Sequence, residues 1–304
     1  MFLCFSVTNC SLEYLENNPA GAQNKKTFSK QFESPVVVGT ITSKEIDESS
    51  GIVQSRCSKG VFWTHNDSGN PGFIFALNEK GEKLGTWKVS GAKNVDWEDI
   101  ATAKDGKGNC QLYIGDIGNN SRTRGELTIY RLNEPVVSDS DSSSSSSRPL
   151  LTEKAVSINV EYPDFRHNAE SILVHPKTLD IYLLTKRISG AAGIYKLSQK
   201  DLKEKNILEK IGDLSVPALP NGLLTGGEIS PDGTRVILCD YYNGYELELP
   251  KNSRNFDEIW KQDPSVIELG KREQGEDICY SVDMRSIYAT SEKQNSPLIR
   301  VSRK

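Results

Sequence analysis

A chain of 304 residues with 37 basic and 41 acidic side chains, net charge −4, offers no electrostatic footprint for nucleic acid, and no basic cluster stands out along it. Two Met, 13 Pro, 24 Gly and 11 Tyr, among many short Val, Ile and Tyr runs, point to strands and turns rather than helices. In chain order, "MFLCFSVTNC" opens with an apolar run from Phe2 to Val7 and then Thr8, Asn9 and Cys10. It reads as the end of a signal peptide before a lipid-modified cysteine, although its start lacks Lys and Arg, and a disordered leader is the alternative. No other segment approaches the ~20 apolar residues of a membrane span. The expectation is an extracytoplasmic protein, periplasmic, secreted or held at the cell surface, that meets a membrane only through a lipid on Cys10. Residues 1–33 read as leader and polar tether, and 34–304 as one domain. With Cys4 and Cys10 set apart, Cys57, Cys110, Cys239 and Cys279 allow two disulfides or four thiols, and no pair has zinc-ligand spacing.

A short pattern then recurs five times, as "SSGI" ending at Ile52, "WEDI" at Ile100, "AESI" at Ile172, "GGEI" at Ile229 and "GEDI" at Ile278. After each comes a few residues of strand, a turn, and a more apolar strand ("VFWTH", "QLYIGD", "IYLLTK", "RVILCD", "IYATS"); third and fourth strands such as "LTIYRL", "VSINVEY" and "ILEKIGDL" follow. Four-stranded units at this spacing predict a five-bladed β-propeller. The last unit lacks an outer strand, and "PVVVGTI" at 35–41 is spare, so the ring is predicted to close by pairing that strand near Leu298–Val301. A six-bladed ring would need a further unit between Ile100 and Ile172; the Ser-rich stretch at 138–148, predicted to be a solvated loop, accounts for that excess length.

In a propeller the first strand of each blade lines the central channel, so the five anchors face one another at one rim. Two residues before each anchor Ile stand Ser50, Glu98, Glu170, Gly227 and Glu276. Carboxylates brought together need a proton or a cation, and hard oxygen ligands around a cavity suit calcium. The alternative is that these acids bond to backbone N–H groups or basic side chains and hold blades together. The ends of the second strands, "THNDSGN", "GDIGNNS", "LTKRIS", "CDYYNG" and "TSEKQN", return to the same rim. They predict a polar crown of His65, Asn66, Asp67, Asp116, Asn119, Lys186, Arg187, Asp240 and Tyr241, to which "DFRHNAES" adds Arg166 and His167.

The succession Ser, Glu, Glu, small residue, Glu in five blades resembles the calcium-activated nucleotidases, apyrases built on a five-bladed propeller with an axial calcium. The resemblance implies calcium ligands at Ser50, Glu98, Glu170 and Glu276, with Gly227 offering its carbonyl. The first-blade tip departs from that family, and "HNDSG", "DWEDIA" and "GDIGNN" also resemble uncharacterised bacterial exported β-propellers. Three readings stay open. In a calcium-dependent hydrolase of phosphorylated substrates, His65 or Asp67 would position or deprotonate water, Asp116 would wall the site, and Lys186 and Arg187 would hold phosphate. A non-catalytic surface module would bind a small molecule or glycan at the same crown. A lactonase-like propeller is the third; no G-x-S-x-G nucleophile motif is present. A monomer is expected.

Overall fold

The computed structural model describes residues 27–304; the expected signal, lipid-bearing Cys10 and most of the tether fall outside the described residues. Five small sheets form the molecule, with three short 3₁₀ segments at Asp139–Ser143, Gln199–Asp201 and Phe256–Lys261. Blade 1 comprises Ser49–Gln54, Phe62–Asn66, Phe73–Leu77 and Lys83–Lys88, and blade 2 comprises Trp97–Lys104, Cys110–Asp116, Leu127–Asn133 and Val156–Glu161. Blade 3 follows as Ala169–Val174, Ile181–Thr185, Ala192–Leu197 and Glu209–Leu214, and blade 4 as Gly226–Ile229, Arg235–Cys239, Asn243–Glu248 and Ser265–Glu268. Blade 5 holds Gly275–Tyr280, Ser286–Ser291 and Ser296–Ser302, with Val36–Ile41 as its outermost strand. The inner strands pack in the order 1-2-3-4-5-1, a five-bladed β-propeller. No helix among the described residues is long and apolar enough to cross a membrane.

Inner strands are covered on both faces by neighbouring blades, so every position but Lys104 is buried although Ser, Glu and Asp stand among the apolar residues. The five anchor isoleucines have no exposed surface. Between blades 1 and 2 the core is Trp63, Trp87, Trp97 and Ile114; between 2 and 3 it is Tyr113, Ile129, Ile172 and Leu183. Tyr182, Val236, Tyr245 and Trp260 join blades 3 and 4, and Ile52, Phe62, Tyr288 and Leu298 join 5 and 1. Val36 pairs antiparallel with Arg300 and Ile41 with Ser296, with an irregularity between Val37 and Gly39.

Two stretches are more ordered than their composition suggests. The Ser-rich stretch is not simply solvated: Ser144 is buried, and its Oγ accepts the Thr86 N–H at 2.8 Å, giving a partner to an amide on blade 1's outer strand. Leu150–Leu151 then pairs parallel with that strand. Residues 29–33, read as the end of the tether, attach to the ring because Phe32 finds a buried place beside Ile237, Ile267 and Val301. The Ser29 N–H donates to Val266 O at 2.7 Å and the Glu33 N–H to Ser302 O at 2.8 Å. Of the four cysteines, Cys57 and Cys110 form a disulfide between blades 1 and 2, while Cys239 and Cys279 are buried thiols.

Candidate functional site

The start of each inner strand pairs with the end of the second strand, bringing Ser49 opposite Asn66, Trp97 opposite Asp116, Ala169 opposite Thr185, Gly226 opposite Cys239 and Gly275 opposite Ser291. Four of the five pairings break register at the anchor. The irregularity falls between Ser49 and Gly51, Trp97 and Asp99, Ala169 and Ser171, and Gly275 and Ile278, so Ser50, Glu98, Glu170 and the Glu276–Asp277 pair sit in β-bulges. A bulge re-aims a side chain that would otherwise lie in a blade face. Blade 4 keeps regular register, and a Cβ on Gly227 would fall 2.5 Å from Leu238 Cδ2. Gly227 is thus packed against its own second strand.

Asp67, Asp96 and Glu98 each bring a carboxylate oxygen within 4.8 Å of the others. Gly118 borders this cluster: a Cβ there would lie 2.1 Å from Glu98 Oε1 and 2.4 Å from the Asp96 carboxylate, so only glycine leaves the space. The polar tip after Tyr113 explains how Asp96 is held. Asp116, 1% exposed, accepts the Val95 and Asp96 N–H groups at 3.3 and 3.1 Å and pairs with Arg124 at 2.7 Å. Arg124 in turn donates to the Gly118 carbonyl at 2.7 Å, and Asn119 accepts the Arg124 N–H at 3.0 Å. Asp116 and Asn119 therefore support the site from beneath rather than facing a ligand as a wall.

Across the funnel Lys186 pairs with Glu170 at 3.0 Å and lies 5.1 Å from the centre of the Tyr241 ring. Glu170 also accepts from Asn168 Nδ2 at 2.8 Å, and Glu276 accepts from Gln274 Nε2 at 2.9 Å. Burial, then Glu170, Asp67 and Asp96, push the Glu98 carboxyl well above the ordinary carboxylate range. Burial raises Asp67 to about 6, Glu292 to about 7 and Glu276 to about 8, with neighbouring acids adding to each and Lys186 opposing the last two. Burial disfavours the charge on Lys186, but Glu170 and Glu276 outweigh it and hold the ammonium protonated. The funnel is strongly acidic, with one lysine on the blade 3 side.

One residue deeper, acids bind backbone of the next blade. Asp99 Oδ2 accepts the Ile172 N–H and Glu228 Oε2 the Tyr280 N–H, each at 2.8 Å; Asp277 accepts the Ile52 N–H. Arg56 pairs with Glu228 at 3.3 Å. Burial raises the Asp99 and Asp277 carboxyls well above their normal range, and the neighbouring Asp99 charge pushes Asp277 further up. Ser50 belongs to this set, its hydroxyl donating to the Glu98 carbonyl at 2.6 Å.

Of the sequence-predicted residues, the fold thus brings together Asp67, Glu98, Glu170, Glu276, Lys186 and Tyr241. His65 is fully enclosed, edge-on to Trp97 at 5.7 Å with Nδ1 3.0 Å from the Asn66 carbonyl, and burial lowers its pKa to about 4. It has no exposed surface from which to meet water. Asn66 is taken up by Glu45 and Asp47, and Asp240 by the Tyr242 and Asn243 N–H groups and the Tyr245 hydroxyl. His167 lies in a separate cluster, its Nε2 at 3.0 Å from Asp164 and 2.9 Å from the Tyr195 hydroxyl. Arg166 donates to the Thr123 carbonyl at 2.8 Å, and the Arg187 N–H bonds to Gly222. Asp96 and Glu292 escaped the sequence reading. The acid in "DWEDI" that precedes the tryptophan was the available signal for the first.

No protein-family profile and no curated protein matches the chain. Among similar solved structures, the hydrazine synthase of Kuenenia stuttgartiensis is 14% identical over 84% of this chain, with a TM-score of 0.43; this chain spans 58% of it. A chain of a nidogen/laminin complex is 12% identical over 80% of this chain and 71% of its own length, with a TM-score of 0.43.

Proposed function

We propose that this propeller is a binding module whose funnel holds a hard divalent cation of the calcium type on Asp67, Asp96 and Glu98, and through it a phosphorylated or acidic-sugar ligand. The observation that carries the reading is the convergence of three carboxylates beside a glycine whose missing Cβ leaves their space open. Calcium accepts such oxygen sets without strict geometry. The ion site differs from the ring of five expected around the axis: Glu170 is already paired with Lys186, whereas Asp67, Asp96 and Glu98 form no ion pair among the described residues. Binding is favoured over phosphate-ester hydrolysis because Lys186 is engaged by Glu170 and His65 is enclosed. A hydrolytic second reading draws on Asp67 and Glu292, whose carboxyls titrate near neutrality, where general acid–base groups work best. The Cys57–Cys110 disulfide supports an oxidising, extracytoplasmic location.

The test is calcium titration of the full chain by calorimetry, for wild type and Glu98→Gln, followed by assays with phosphate esters, anhydrides and lactones with and without chelator. Saturable binding below about 1 mM, weakened in the variant, is expected. Absence of saturation up to about 10 mM would sink the proposal, since even weak extracellular calcium modules saturate by then. Chelator-sensitive turnover would select the hydrolytic reading.

A further inference from the structure

The rim opposite the funnel carries a different chemistry. Between blades 3 and 4 the turn after Ala169–Val174, the end of Ala192–Leu197, the Gly233–Thr234 turn and the segment Leu249–Phe256 enclose a cleft of about 430 Å³. Four cations line it, Lys177, Lys196, Lys251 and Arg254, against one carboxylate, Asp180. Asp180 is already occupied, since it lies 3.5 Å from Lys196 and accepts the Gln199 N–H at 3.0 Å; Lys196 also pairs with Asp257 at 2.8 Å. Lys177, Lys251 and Arg254 form no ion pair among the described residues.

At the edge of these cations stands His175, 6% exposed, with Phe256 edge-on to its ring at 4.6 Å. Its Nδ1 accepts the Lys177 and Thr178 N–H groups at 3.3 and 3.1 Å, so in the neutral ring Nε2 carries the proton. That N–H has no partner among the described residues. It is next to Gly233, where φ is +75° and a Cβ would approach Nε2 to 3.0 Å, so the glycine leaves open the space beside the donor. A donor that a largely buried ring presents to the cleft, beside three cations without ion pairs in a cleft of ligand size, is the arrangement of an anion site.

We propose that this cleft binds the phosphate group of a small phosphorylated molecule, with His175 Nε2–H as the fixed donor and Lys177, Lys251 and Arg254 as the charged ones. It is independent of any cation in the funnel. The probe is inorganic pyrophosphate, titrated calorimetrically into the full chain at low ionic strength with chelator present, against wild type and the Lys251→Ala/Arg254→Ala double variant. Both altered residues are exposed, so the variant is expected to fold and to bind calcium as wild type does. Saturable binding of one pyrophosphate per chain is expected, weakened about tenfold or more in the double variant and falling with added salt. His175→Gln, if it folds, should weaken it as well. Absence of saturable binding to wild type, or equal affinity in the double variant, would overturn the proposal.

Discussion

Calcium added to the full chain at about pH 8 is expected to raise its melting temperature, and Asp96→Asn to remove most of that rise. The carboxylate oxygens of Asp67, Asp96 and Glu98 lie within 4.8 Å of one another. At an effective dielectric of 20, two unit charges at that separation repel by about 3.5 kcal/mol, so three ionised carboxylates would carry about 10 kcal/mol of repulsion. Keeping one proton three pH units above its usual range costs only about 4 kcal/mol, so without a cation the cluster retains a proton. This agrees with the upward direction at Glu98 and Asp67. The folded chain then holds protons that the unfolded chain gives up near its ordinary carboxyl value of about 4.3, so stability falls as pH rises through about 6 for Asp67, 7 for Glu292 and 8 for Glu276. A cation replaces the proton and flattens that fall. At a hundred times its dissociation constant it adds about 2.7 kcal/mol, which for a domain of this size is a shift of about 5 °C. Differential scanning calorimetry in chelator and in millimolar calcium, near pH 5.5 and pH 8, measures the shift. Isothermal titration in two buffers of different ionisation enthalpy counts the protons released. Identical melting curves in chelator and in calcium at both pH values would refute the cation site. A full shift retained by Asp96→Asn would remove that residue from it.

Gly118→Ala is expected to abolish the calcium response while leaving the circular dichroism spectrum native, because its Cβ displaces the Glu98 and Asp96 carboxylates. Lys186→Met should destabilise the chain by about 3 kcal/mol near pH 8 and less near pH 5, where a proton takes over the neutralisation of Glu276; urea unfolding at the two pH values reads the difference. Asp277→Ala should cost about 3 kcal/mol, since it orphans the buried Ile52 and Ile278 amides, and Asp277→Asn should cost less by keeping one acceptor. Removing both Cys57 and Cys110 opens a connection spanning 53 residues, for which the chain-entropy estimate is a loss of up to about 4 kcal/mol, measured by the same urea unfolding.

The blade number was legible because the anchor pattern repeats and each anchor isoleucine must be buried. What the pattern hid was the register break beneath it. "WEDI" and "AESI" look like ordinary strand starts, and only pairing with the second strand reveals Glu98 and Glu170 as bulged residues. Reading five equivalent positions as five ligands assumed five-fold equivalence. Ser50 instead bonds to the Glu98 backbone, and blade 4 has no bulge at Gly227. His65 and Asp116 looked like crown residues because polar tips commonly face solvent; burial under Trp97 and pairing with Arg124 give them structural work. The basic cleft was invisible in one dimension, since Lys177, Lys196 and the neighbouring Lys251 and Arg254 come from three separate segments and assemble only when blades 3 and 4 meet.

The acids one layer below the funnel also determine where the ring yields. Asp99 ties blade 2 to blade 3, Glu228 ties blade 4 to blade 5, and Asp277 ties blade 5 to blade 1 across the chain's own seam. Blade 1 reaches blade 2 through Ser50. At the equivalent place blade 3 has Ser171, whose buried hydroxyl has no partner, and no inner-strand side chain among the described residues bonds from blade 3 to the inner strand of blade 4. Sliding of these two blades breaks no charge-assisted bond at the axis, whereas parting the blades at the chain's seam does. At the axis, then, the join between blades 3 and 4 lacks the tie the others have, and its cohesion comes from farther out, from the Tyr182, Tyr245 and Trp260 core and the Lys196–Asp257 pair at 2.8 Å.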